Sequence, residues 1–219
     1  MARIIKLDKL RFRDMLQDLE EYAGLAPGLI ELPVPDRVKI GRKRYSIPAS
    51  MDVFTEHITY GQRLYLAREE PSDVGLILRI MNGYYYPIVT KEEWNEEKSV
   101  KLGNKILSCR VKELYPVAMH IVKLISKIAE REKQLLHRDP SKLELAAGVE
   151  KLDVFSEMMS LDFLRDTMKI SIPEVLLTPY NECLVRFMIH KEVNAFNERY
   201  MELMKEQKPA AKSKYNAEK

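Results

Sequence analysis

Between Tyr180 and Leu203, apolar side chains recur on two sides of a helix drawn at roughly 100° per residue. One face takes Cys183, Leu184, Phe187 and Met188. The other is a stripe of Val185, Ile189, Val193, Phe196, Tyr200 and Leu203, in steps of three or four residues. Thr178-Pro179 supplies a cap and a first-turn proline just ahead of it. The pattern predicts a long C-terminal helix whose first half, apolar on both faces, is sandwiched in the core. The second half keeps only the stripe, so Val193, Phe196, Tyr200 and Leu203 run past what a core needs by about four turns, roughly 25 Å. Two occupants fit such a stripe. One is the chain's own N-terminal segment; the other is a partner that receives the helix in a groove.

The same periodicity predicts helices over most of the chain. Leu7, Leu10, Met15, Leu16 and Leu19 mark one over Leu7–Tyr22, although its cations precede its acidic end and so oppose the helix dipole. Ala26-Pro-Gly and Pro33-Val-Pro then make a linker. Thr59 caps a helix to about Glu69, and Ser72 caps another ending at Gly83. Tyr84-Tyr-Tyr-Pro reads as a loop or short extended piece, after which Thr90 and Glu93 form a capping-box pattern opening a short helix that carries Trp94. Ile106–Leu114 fits strand or helix equally. Pro116 begins a helix to about His137, with an apolar first half for the core and a charged, solvated second half. Asp139-Pro-Ser starts another, reaching Gly148. Leu152, Phe155, Met158 and Met159 mark a further one, with Leu161–Met168 continuing it, and Ser171-Ile-Pro-Glu opens a short turn.

Alternation changes period in one place only. Val38 and Ile40, then Tyr45 and Ile47, alternate with charges across a turn that contains Gly41, which predicts a β-hairpin over 38–47. The expected fold is therefore mainly α: a helical domain with one small N-terminal β-hairpin and a long C-terminal helix. Residues 1–36 form an N-terminal helical segment and linker, 37–206 the helical domain, and 207–219 a disordered basic tail.

Charge sharpens this division. The net charge is +3, and the tail holds four lysines (Lys208, Lys212, Lys214, Lys219) against Glu218. The body is thus formally neutral, which gives no push toward nucleic acid, whose binders need a basic face. No apolar run approaches the ~18 residues that cross a bilayer, and the first residues lack the apolar core of a secretory signal. Two cysteines with no C-x-x-C pair suggest a reducing compartment and buried thiols.

Candidate chemistry is thin. Cys183 and His190 share a helix but lie seven residues apart, about 10 Å along its axis, whereas a nucleophile and its base need roughly 3 Å. His57, His120, His137 and His190 are scattered without ligand spacing, and His120 sits where a structural core histidine belongs. No phosphate-cradling glycine loop and no nucleophile elbow occurs. No catalytic residue, metal or cofactor is expected. Arg37, Arg42, Lys43 and Arg44 on the hairpin are the candidate nucleic-acid contacts; the alternative is a solvated turn whose charges block edge pairing. Tyr84–Tyr86 either stack on bases or pack.

The charged hairpin leading into Arg44-Tyr-Ser-Ile-Pro48, then Ile58-Thr-Tyr-Gly-Gln62 and later Leu114-Tyr-Pro-Val-Ala118, resembles small proteins of the structural-gene clusters of tailed bacteriophages. Tail-assembly-chaperone-like proteins of phages infecting Bacteroides-type hosts are among them. The long C-terminal arm goes beyond the chaperone pattern and is similar to portal, ring or tail components. The resemblance implies a non-enzymatic oligomer, acting in the virion or in the cytoplasm of the infected host. Its partners would be other phage structural proteins or further copies of itself. A nucleic-acid-binding regulator using the hairpin and the lysine tail is the rival.

Overall fold

The computed structural model describes residues 9–17, 28–29, 31–68 and 72–215, with backbone only at 16, 17, 73 and 206–215. Helix takes 74% of the chain, as the periodicity predicted. The hairpin is present: β1 (Arg37–Ile40) pairs antiparallel with β2 (Lys43–Ser46), Val38 facing Tyr45 and Ile40 facing Lys43. Gly41 opens its two-residue turn at φ +64°, a conformation that suits glycine. Val38 and Ile40 turn inward and are buried, and Arg37 and Lys39 turn outward.

Of the N-terminal helix, α1 (Phe12–Gln17) is described; Leu7, Leu19 and Tyr22 lie outside the described residues. The short helices α2 (Met51–Glu56) and α3 (Tyr60–Ala67) follow the hairpin. Ser50 caps the first, and a Thr59–Gln62 capping box opens the second where the sequence places it.

The next helix departs from expectation. Ser72 caps it, but α4 runs Asp73–Thr90, straight through Gly83, the three tyrosines and Pro87. Proline has no N–H for the carbonyl four residues back. Here that carbonyl, of Gly83, accepts instead from Nε2 of buried Gln62 at 2.8 Å. A Cβ at Gly83 would lie 2.8 Å from Tyr65 Cδ1 and 2.9 Å from Leu66 Cδ2, so glycine is what lets α3 and α4 approach. Thr90 ends this helix and does not open another: its Oγ1 donates to the Tyr86 carbonyl at 2.7 Å. Trp94 lies in the following loop, and Asn95 caps α5 (Glu96–Ser99).

A 3-10 turn (Val100–Leu102) and α6 (Gly103–Leu107) lead to the central helix α7, Val111–Leu136. It starts five residues before Pro116 because the chain's N-terminal part begins it: Val111 N donates to Leu10 O, and Phe12 N to Cys109 O, each at 3.0 Å. Pro116 sits inside the helix and is buried. Val117, Ala118, Ile121, Leu124 and Ile128 carry the core along α7, against Ile77, Ile80, Met81 and Tyr85 of α4.

Beyond α7, Ser141 rather than Asp139 caps α8 (Lys142–Ala147), with Glu144 completing its box and Gly148 ending it. A 3-10 stretch (Val149–Phe155) joins α9 (Ser156–Met168), and α10 (Ile172–Leu177) begins at a Ser171–Glu174 box. The long helix α11 spans Tyr180–Tyr215; its backbone continues past Pro209, through residues expected to be disordered. Its start is pinned to α3 by Tyr60 N to Thr178 O at 2.8 Å and Tyr180 N to Ile58 O at 3.1 Å.

Candidate docking surface

The body side of α11 is fixed by specific contacts. Tyr180, Cys183 and Leu184 are buried. Phe187 stacks on Phe163 of α9, ring centroids 5.4 Å apart. One turn further, Lys191 Nζ donates to the Leu135 carbonyl at 2.8 Å, and beyond it Glu198 pairs with Arg138. These residues recur at three, four or seven positions and so share one face.

The opposite face carries the apolar stripe and meets solvent along its whole length. Val185 is 52% exposed and Ile189 57%, so the expected sandwich of the first half is absent: that half packs on one side only. Val193, Phe196, Tyr200 and Leu203 are 49–60% exposed. Phe196 and Tyr200 stack on each other with centroids 6.2 Å apart, shielding one another in place of a partner. The described N-terminal residues do not cover the stripe; Leu10, Phe12 and Met15 are buried beside α6 and α7.

A second apolar surface lies on the neighbouring segment. Leu143, Leu145, Leu152, Val154, Phe155, Met158 and Met159 are all exposed. Among the described residues, every exposed large apolar side chain except Val34, Val53 and Val100 belongs to 143–159 or to α11 between Val185 and Met204. The two segments are adjacent: the Arg138 guanidinium bonds both Glu144 of α8 and Glu198 of α11. Exposed apolar surface gathered on two neighbouring segments is the ordinary mark of an interface.

The candidate reactive groups are occupied structurally. Burial pushes the Cys183 thiol up to about 12 and the Cys109 thiol to about 11, opposite to what an activated nucleophile needs. His190 lies against the Phe163 ring at 4.4 Å and shares a hydrogen bond with Asn194. His120 Nε2 is 2.8 Å from the Pro48 carbonyl, the core role its position suggested. The tyrosine cluster packs inward: Tyr84 stacks on Phe54 at 5.0 Å, and Tyr85 is fully buried. No three His, Cys, Asp or Glu side chains gather to hold a metal among the described residues, and no described helix is long and apolar enough to cross a membrane.

Of the predicted nucleic-acid contacts, Arg37, Arg42 and Lys43 remain apart on the exposed hairpin. Arg44 instead joins Arg11, Lys39 and Arg110 around a cavity of about 290 Å³, where Glu113 is the one carboxylate. Sequence reasoning missed Arg11 and Arg110 because only the fold brings the N-terminal segment to the start of α7, through the Arg11–Arg110 bridge. It also missed the ion pair of Arg63 with Glu132, two bonds of 3.1 and 2.5 Å between side chains 69 residues apart. No family model, curated protein or solved structure matches the chain.

Proposed function

We propose that the protein is a non-enzymatic component of bacteriophage particle assembly that works by docking on other proteins. It would act as a portal, ring or tail structural protein, or as a chaperone of tail construction. The observation that carries this is the gathering of exposed apolar side chains onto 143–159 and the outer face of α11, beside a core that is otherwise closed. Phe, Tyr and Met are prominent there, the types enriched at interface centres. The phage setting rests on the sequence resemblance of Arg44–Pro48, Ile58–Gln62 and Leu114–Ala118. Mass spectrometry of purified particles, with pull-downs from infected cells, tests it. The expected result is this chain in the particle or bound to a structural protein destined for it. Its absence from both overturns the proposal.

One observation favours the rival, a nucleic-acid-binding regulator: four cations surround the cavity by Cys109 against one carboxylate. That reading requires DNA or RNA affinity that falls steeply with salt and is lost in Arg44→Glu. Binding that persists without those cations removes it.

A further inference from the structure

We infer that α11 pairs antiparallel with α11 of a second copy of this chain, in a single register set by Glu192 and Arg199. This rests on the docking reading and names the occupant of the stripe. From Ile189 the exposed apolar positions advance by four, three, four and three residues to Leu203, the alternation of a coiled-coil seam. The seam faces away from the body, because Phe187, Lys191 and Glu198 hold the body on the other side of the helix. The seam is therefore open to a second helix along Ile189–Leu203.

In an antiparallel pair each core layer joins the two kinds of seam position, one from each helix, so choosing one layer fixes the rest. Setting Val193 against Phe196 of the second copy also sets Ile189 against Tyr200 and Arg186 against Leu203, each layer occurring twice by symmetry. The aliphatic stem of Arg186 then covers Leu203 at the rim. In this register Glu192 of one helix flanks Arg199 of the other, twice. Shifting by one heptad in either direction keeps apolar layers but opposes Arg199 to its own copy, or Glu192 to its own copy. A parallel pair sets Glu192 beside Asn197 and Arg199 beside Met204, with no charge partner. Flanking charges select register and orientation in paired helices, and here they favour one arrangement.

Sedimentation of the full chain tests this. The 25.6 kDa protein is expected to dimerise. Glu192→Arg and Arg199→Glu should each weaken the dimer by roughly 4- to 30-fold, since two attractions become two repulsions. Mixing the two variants, or combining both changes in one chain, should restore it. Circular dichroism checks that each variant keeps its helix. A monomer at every concentration overturns the self-pairing, as does a dimer indifferent to either charge reversal. Neither result touches the assembly proposal, which particle composition decides separately.

Discussion

Tyr85 and Tyr200 are the same residue type on helices of one small protein, and they live in opposite worlds. Tyr85 is fully buried, with Tyr84 edge-on at 4.9 Å and its hydroxyl donating to the Ser46 carbonyl at 3.3 Å. Tyr200 is 52% exposed and touches mainly Phe196, its neighbour one turn back. Around Tyr85, Ile77, Ile80, Met81 and Tyr84 are buried within the chain. Around Tyr200, and across 143–159, large apolar side chains are exposed. Folding is thus complete at the α4–α7 centre, while the outer edge keeps hydrophobic surface that a lone domain gains nothing by displaying.

The largest effect that separates the two regions is truncation of the core. Tyr85→Ala should cost about 3–5 kcal/mol in denaturant unfolding, close to the whole stability of a typical domain. Next comes Glu132→Ala, which strips the bidentate partner from Arg63, whose side chain is 10% exposed. A loss of about 3 kcal/mol is expected, with Arg63→Met in the same background recovering part of it. Gly83→Ala should cost about 1–3 kcal/mol by pushing α3 off α4.

Titration gives a graded effect, again confined to the packed region. Burial raises Cys183 from 9.0 to about 12, Cys109 from 9.0 to about 11, and Tyr60 and Tyr84 from 10.0 to about 12. In each case the neutral form is favoured in the folded state, so that state holds more protons than the unfolded chain above pH 9. Stability should therefore fall as pH rises through 9 and keep falling to about 12. Unfolding midpoints measured across that range check it; a flat alkaline limb would mean the thiols and phenols are not enclosed as described.

Much of the packed region could be read from the sequence, because its signals are local. Thr59 and Ser72 bind their own helix starts and appear where expected, and Ser171–Glu174 opens a short helix where a turn was expected. The hairpin follows from alternation and Gly41. What could not be read depends on distant partners. Gly83 looked like a helix end and Tyr84–Pro87 like a loop, yet Gln62 from another helix satisfies the carbonyl that Pro87 leaves free. Asp139 looked like a cap, but Ser141 has the better geometry with Glu144. The candidate surface was half legible. The stripe Val193, Phe196, Tyr200 and Leu203 stood out by spacing, but periodicity marks an apolar face without saying whether anything covers it. Val185 and Ile189 were therefore expected to be enclosed, whereas they face solvent.

The smallest expected change in fold stability is also the most direct test of the account. Phe196→Ser combined with Tyr200→Ser removes two aromatics from the outer stripe. Thermal unfolding is followed at a dilution where wild type and variant are both monomeric, and assembly is followed in parallel by co-sedimentation. The account predicts an unfolding midpoint that barely moves, as for other exposed positions, with assembly lost. A drop in midpoint comparable to that of Tyr85→Ala would contradict it, because the stripe would then belong to the protein's own core.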